Sequence, residues 1–262
     1  MKLSKHLFFF FIVFQTSFVL AQQTTIYTHD LKEFDLAVGL FNDSQYQSAQ
    51  IIFDKVIKNG ISSDVKADCV YYSANCAIRL NQNGADQLME NFVENYPTST
   101  KQNQAFIEVA HYYFAQSNFP KALKYFDKVN ENGLTIYERE QFNFQKGYAY
   151  FTAKNVKSAT LYFNKVLNSK EYGNQSKYYL GYMAYETDDY KNANDYFDKV
   201  SDQDRYKEKM GYFQADMNFK LGNFQKAIDL GEAQMPISKA IEKSELSKII
   251  GESYFNLKQY DQ

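Results

Sequence analysis

Apolar residues recur along most of this chain with the period of a helix. Phe144, Tyr148 and Phe151 stand at i, i+4 and i+7, and after a short polar break from Ala153 to Val156, the residues Ala159, Phe163 and Val166 repeat the same spacing. A stripe of that period marks an amphipathic helix, so this stretch predicts two helices joined by a tight turn. The second half of the pattern returns in Phe53-Asp54-Lys55-Val56, Phe126-Asp127-Lys128-Val129, Phe163-Asn164-Lys165-Val166 and Phe197-Asp198-Lys199-Val200. Four residues before each phenylalanine stands an alanine, and three before that alanine stands Tyr46, Phe119, Val156 or Tyr190. With Ala85 and Ala227 included, the alanines fall at 49, 85, 122, 159, 193 and 227, in steps of 36, 37, 37, 34 and 34. A recurring step of this size predicts stacked supersecondary units. The alanine has a physical reason to recur. Where two helices cross closely only a small side chain lets the backbones approach, and an aromatic one turn later fills the wedge beside it.

These residues resemble the tetratricopeptide repeat, with a small residue at position 8, an aromatic at 11, a small residue at 20, an aromatic at 24 and an apolar residue at 27. The third unit offers Ala110, Tyr113, Ala122, Phe126 and Val129, and the fourth Gly147, Tyr150, Ala159, Phe163 and Val166. Pro97 stands at position 32 of the second unit, where the family often ends its second helix. The units are assigned to 30–63, 66–99, 103–136, 140–173, 174–207 and 208–241, with a partial seventh over 244–262. The resemblance implies an all-α fold, a right-handed α-solenoid of stacked helix-turn-helix repeats. Tryptophan, common at position 4 of the family, is absent from the whole chain. The sixth unit has Gly231 and Gln234 in place of an aromatic and an aliphatic, so its second helix is expected to pack loosely. Gly251, Tyr254 and Tyr260 fit positions 8, 11 and 17 of the seventh unit, and further repeats or domains are expected after 262.

The first residues follow a different pattern. Lys2 and Lys5 precede an apolar run from Leu7 to Leu20, and Val19 and Ala21 stand at the minus-three and minus-one positions of a cut before Gln22. That order is the one of a secretory signal peptide, and the run is shorter than the ~20 residues that span a bilayer. Residues 1–21 are therefore expected to be cleaved, 22–29 to form a short lead, and the repeats to occupy 30–262. No transmembrane segment is expected in the mature chain.

Charge then narrows the partners. Without Lys2 and Lys5 the chain carries 27 basic against 31 acidic residues, and a near-neutral balance argues against nucleic acid, which calls for a concentrated basic face. Cys69 and Cys76 lie seven apart on one predicted helix, roughly 10 Å between Cα atoms, beyond the ~7 Å a disulfide tolerates. They are expected to be reduced and packed in the core. No histidine or third cysteine stands near them in the sequence, so neither metal nor cofactor is expected. His29 and His111 fall in different segments, and the adjacent carboxylates Asp188 and Asp189 sit in a predicted turn, where aspartate bonds locally to the backbone. Asn42-Asp43-Ser44 and Asn174-Gln175-Ser176 match a glycosylation triplet, which has meaning only in a eukaryotic secretory pathway.

The resemblance places positions 5, 9 and 12 of each first helix on a concave groove. Position 5 gives Phe34, Val70, Ile107, Phe144, Tyr178 and Tyr212. Position 9 gives Val38, Ala74, His111, Tyr148, Tyr182 and Asp216, and position 12 gives Phe41, Ala77, Phe114, Phe151, Tyr185 and Phe219. Eleven of these eighteen are aromatic against 18 % of the chain, and such rings supply large contact area in interfaces. The alternative is that they pack neighbouring hairpins, which is the reading preferred at position 12. The candidate partner-binding residues are His111, Phe144, Tyr148, Tyr178, Tyr182, Tyr185 and Tyr212. Some tetratricopeptide proteins clamp a C-terminal carboxylate with lysine and asparagine at positions 5 and 9, and this sequence has neither there. The expectation is a non-enzymatic scaffold for a protein or peptide partner, exported to the periplasm or outer membrane of a Gram-negative bacterium. An alternative is the input region of a larger sensor or enzyme with its catalytic domain after 262, and a carbohydrate ligand is a third reading.

Overall fold

The computed structural model describes residues 31–60 and 62–261, so the signal-type segment 1–21 and the lead 22–29 lie outside the described residues. Among the described residues there is no strand. The helices are α1 (residues 31–42), α2 (Tyr46–Lys58), α3 (Ser63–Arg79), α4 (Ala85–Asn95), α5 (Gln102–Ala115) and α6 (Phe119–Phe126). They continue as α7 (Ile136–Thr152), α8 (Val156–Asn164), α9 (Gly173–Glu186), α10 (Tyr190–Asp198), α11 (Asp204–Lys220), α12 (Phe224–Gln234) and α13 (Ala240–Asn256). The fold is all-α, built as the helical repeats of an α-solenoid are built. The chain forms two compact units, α1 to α6 up to Gly133 and α7 to α13 from Leu134.

One turn recurs. At the end of each odd-numbered helix a single residue enters the left-handed region: Ser44, Asn81, Ser117, Lys154, Asp188, Gly222 and Lys258. The amide of the residue that follows donates to a carbonyl five residues back. Examples are Gln45 to Leu40 at 2.8 Å, Asn118 to Tyr113 at 2.8 Å, Asp189 to Ala184 at 2.9 Å and Gln259 to Tyr254 at 3.0 Å. This closes the orphan carbonyls of the helix end and reverses the chain. Three of the returning helices, α6, α8 and α10, then start on a side-chain acceptor: Asn118, Asn155 and Asp189 accept from the amides of Lys121, Ser158 and Asn192, which satisfies donors the helix start leaves open. Asp188 and Asp189 are thus a left-handed turn residue and a cap. Rings clasp the same turns from outside. Phe41 meets Tyr46 at 5.4 Å, Phe114 meets Phe119 at 5.5 Å, Tyr185 meets Tyr190 at 6.0 Å, and Phe219 meets Phe224 at 5.9 Å.

Inside each hairpin the small-against-large pairing sets the crossing. Ala49, Ala122, Ala159, Ala193 and Ala227 are fully buried, as are Phe53, Phe126, Phe163 and Phe197. A Cβ added to Gly147 would lie 3.1 Å from the ring of Phe163, and one added to Gly181 would lie 2.7 Å from the ring of Phe197. Three of these buried rings also reach the next hairpin within their own unit. Phe53 stacks on Tyr72 at 5.2 Å, Phe163 on Tyr179 at 5.5 Å and Phe197 on Phe213 at 6.3 Å.

The second helix of the sixth repeat is not loosely packed, which corrects the sequence expectation. Gln234 is 4 % exposed, and its amide occupies the space a side chain at Gly211 would need. Ile250 of α13 fills the room above Gly231, where an added Cβ would lie 2.8 Å from it. Two glycines draw α12 close to both neighbours, so the missing aromatic leaves no gap. Cys69 and Cys76 are buried and free. No helix of the described residues is long and apolar enough to cross a membrane.

Candidate functional site

The candidate residues divide between the two units. His111 stands on α5 of the first unit, with its imidazole 6.0 Å from the ring of Phe126. Phe144, Tyr148, Tyr178, Tyr182, Tyr185 and Tyr212 stand on α7, α9 and α11 of the second. Within that unit the aromatic network is continuous. Tyr148 meets Phe151 at 6.0 Å and Tyr179 at 5.2 Å. Phe151 meets Tyr182 at 5.9 Å, Tyr182 meets Phe213 at 5.7 Å, and Phe213 meets Tyr212 at 5.7 Å. The rings of three successive first helices therefore touch one another through Phe151, Tyr179 and Phe213.

The members of this network differ in what remains free to a partner. Phe144 is buried, stacked on Tyr172 at 4.9 Å and tilted against Phe163 at 5.9 Å, so it packs the hairpin. Tyr185 clasps Tyr190 across the turn, and its hydroxyl donates to Asp216 Oδ2 at 2.7 Å. Asp216 is held in turn by Lys220 at 2.7 Å, and the Lys220 ammonium lies over the rings of Tyr185 and Tyr190. Tyr178 is wedged between Tyr206, stacked at 5.3 Å, and Phe197 at 6.0 Å. Tyr148, Tyr182 and Tyr212 are half-buried, each with its ring seated in the network.

Burial and nearby carboxylates favour the protonated phenols of Tyr178, Tyr179, Tyr182, Tyr185 and Tyr212. Burial raises the hydroxyl of Tyr178 above the ordinary tyrosine range. It raises Tyr182 as well, with Glu186 adding to the effect, and Tyr212, with Asp216 and Glu245 adding to it. Tyr185 is raised first by burial and then by its hydrogen bond to Asp216, and Tyr179 is pushed up to about 12, mainly by burial. The surface accordingly offers neutral hydroxyls on apolar rings, a chemistry of contact and hydrogen bonding. Among the described residues no group of three or more His, Cys, Asp or Glu is placed to hold a metal ion. A cavity of about 500 Å³ in the first unit, lined by Ser63, Asp68, Tyr96, Thr98 and Thr100, contains none of the candidate residues.

Sequence reasoning missed Tyr179 and Phe213, the residues that join one hairpin's rings to the next. A signal was present: each follows the buried phenylalanine of the preceding hairpin, Phe163 or Phe197, by sixteen residues.

The family model described as the tetratricopeptide repeat matches residues 68–99, which span most of α3 and all of α4. Among solved structures the chain is similar to pilF of Pseudomonas aeruginosa, with a TM-score of 0.54 at 14 % identity, covering 84 % of this chain and 96 % of that one. It is similar to the C-terminal part of a tetratricopeptide-repeat-containing protein of Cytophaga hutchinsonii, with a TM-score of 0.52 at 18 % identity and 87 % of each chain covered. A tetratricopeptide repeat protein from Parabacteroides merdae gives a TM-score of 0.53 at 12 % identity, covering 88 % of this chain and 92 % of its own. At these identities the likeness is one of fold. No curated protein matches the sequence.

Proposed function

We propose that the chain, which matches the tetratricopeptide-repeat model over residues 68–99 and shares the fold of tetratricopeptide-repeat proteins, a class of modules that mediates protein–protein interaction, is a non-enzymatic scaffold. It binds a protein or peptide partner on the tyrosine-bearing face of α7, α9 and α11, outside the cytoplasm. The observation that carries this reading is the set Tyr148, Tyr182 and Tyr212. Their rings are anchored at one side by Phe151, Tyr179 and Phe213, and each residue remains partly exposed. A ring held in this way presents rigid, amphipathic area and loses little rotamer freedom when a partner covers it. Phe144 and Tyr178 contribute as the packed floor, and Tyr185 as a residue fixed by Asp216. Export rests on the charged, apolar and small-residue order of residues 1–21.

Site-specific photo-crosslinking in intact cells tests the assignment. A photoreactive aromatic amino acid replaces Tyr182 in one variant and Leu161, an exposed residue on α8, in another. A discrete crosslinked partner from the Tyr182 position and none from Leu161 supports the proposed face. The reverse pattern sinks it.

A further inference from the structure

The loop between α4 and α5 is held by several bonds of its own. Tyr96 caps α4 and Pro97 follows it, and the Ser99 amide donates to Tyr96 O at 3.0 Å. The side chain of Gln102, at the start of α5, donates to Val93 O and to Tyr96 O, each at 2.8 Å. Ser99 Oγ accepts from the Lys101 amide at 3.1 Å. The ring of Tyr96 stacks on the buried ring of Phe92 at 5.5 Å. A loop tied at this many points keeps its shape without a ligand, which lowers the ordering cost of binding one.

This loop and the first two turns of α3 line the cavity of about 500 Å³ in the first unit. Small-molecule sites run from ~300 to ~1,000 Å³ and are usually apolar, whereas this one is rich in polar groups. The loop side contributes Asn95, Tyr96, Thr98 and Thr100, and α3 contributes Ser63 and Asp68. Among the described residues the hydroxyls of Tyr96, Thr98 and Thr100 make no hydrogen bond. Asn95 spends its amide nitrogen on Asn91 O at 2.8 Å, which leaves its side-chain oxygen as an acceptor. An apolar ligand would desolvate these groups without replacing their hydrogen bonds, which is costly. An anion is opposed by the Asp68 carboxylate, and no lysine, arginine or histidine is among the lining residues. Lys101, beside the loop, holds its ammonium over the ring of Tyr72 at 5.2 Å. The ligand that matches is neutral and carries many hydroxyls, each able to donate and to accept, on a frame whose C–H groups can lie against Tyr96 and Pro97.

We propose that this cavity is a saccharide-binding site. The Asp68 carboxylate accepts from sugar hydroxyls, Thr98 and Thr100 donate to and accept from others, and Tyr96 with Pro97 supplies the apolar wall. The site belongs to the first unit, while the tyrosine face lies on α7, α9 and α11 of the second. The two share no residue.

Saturation-transfer difference NMR on the full chain tests it, with a panel of neutral disaccharides, N-acetylated ones included, and inorganic phosphate as the anionic probe. Transfer to at least one disaccharide is expected, and none of it should be displaced by phosphate. Asp68→Asn and Thr98→Val are each expected to weaken that binding about tenfold. Thr98 is exposed, so its variant keeps the test open should Asp68→Asn unfold. Tyr182→Ala is expected to leave the binding unchanged, which separates this site from the tyrosine face. Transfer to no disaccharide up to ~10 mM, displacement by phosphate, or binding that survives both cavity substitutions overturns the proposal. Binding lost only in Tyr182→Ala would assign the sugar to the tyrosine face and overturn it as well.

Discussion

Replacing Gly181 by alanine adds one methyl group where the hairpin is tightest. The new Cβ would lie 2.7 Å from both Cδ1 and Cε1 of Phe197, while carbon atoms rest at ~3.5–4.0 Å. The ring cannot simply move away, since Phe197 is fully buried between Tyr178 and Phe213. Forcing an extra methyl group into a packed crossing costs typically ~1–3 kcal/mol. Against this, alanine in a helix interior is better than glycine by about 0.8–1 kcal/mol. Gly251→Ala supplies the control, because it gains the same propensity and meets no neighbour within 4 Å among the described residues. The difference between the two variants isolates the steric cost, roughly 1–3 kcal/mol. Urea denaturation followed by circular dichroism measures it, and thermal melts should separate the two by roughly 2–8 °C per kcal/mol. Adding Phe197→Leu to Gly181→Ala should recover part of the loss, so that the double variant is better than the sum of the singles by about 1 kcal/mol. If Gly181→Ala and Gly251→Ala raise stability equally, or the double variant is strictly additive, the pairing of glycine seat and buried ring is wrong.

Two further outcomes follow from the same packing. Ala159→Leu, at a fully buried crossing, should lower stability by about 1–3 kcal/mol in urea titration, and an unchanged curve would place Ala159 at the surface. Burial pushes the thiols of Cys69 and Cys76 up to about 12 and about 11. Both should therefore resist alkylation at pH 8 until urea opens α3, and rapid labelling of the native protein would contradict their burial. Both folded-state values lie above the ordinary 9.0, so the stability they contribute is complete below about pH 9. It is lost as pH rises from about 9 towards their folded values, because the unfolded chain releases those protons first. A pH series of urea midpoints should accordingly fall across that window, and a flat series would refute the shift.

The hairpins were legible because their signal is local. An alanine and a phenylalanine four residues apart on one helix report a crossing that the same few turns complete, and Ala159 with Phe163 shows it. The turns were legible only as breaks. Ser44, Lys154 and Lys258 take a left-handed conformation that their residue types do not announce, since chain reversal and the two closing hydrogen bonds impose it. Gly231 and Gln234 misled for a related reason. The room that glycine leaves is filled by Ile250, which comes from the following helix, and a template for a single repeat cannot see across that boundary. The face suffered the same limit. Phe144 and Tyr182 share one stripe pattern in the sequence, yet Phe144 is buried by Tyr172 and Phe163, while Tyr182 keeps an open side. Only the neighbouring hairpin decides between them.

The central claim, that a partner binds the tyrosine face, is tested most directly by pairing affinity with stability in one set of variants. Tyr148→Ala and Tyr182→Ala are titrated with the purified crosslinked partner by calorimetry, and each is melted beside Phe163→Ala. Phe163 is fully buried, and its truncation should cost about 3–5 kcal/mol of stability. The account predicts that each tyrosine variant loses about 1–2 kcal/mol or more of binding free energy and melts well above Phe163→Ala. Unchanged affinity in both variants, or melting as early as that of Phe163→Ala, would contradict it and leave the tyrosines as packing residues alone.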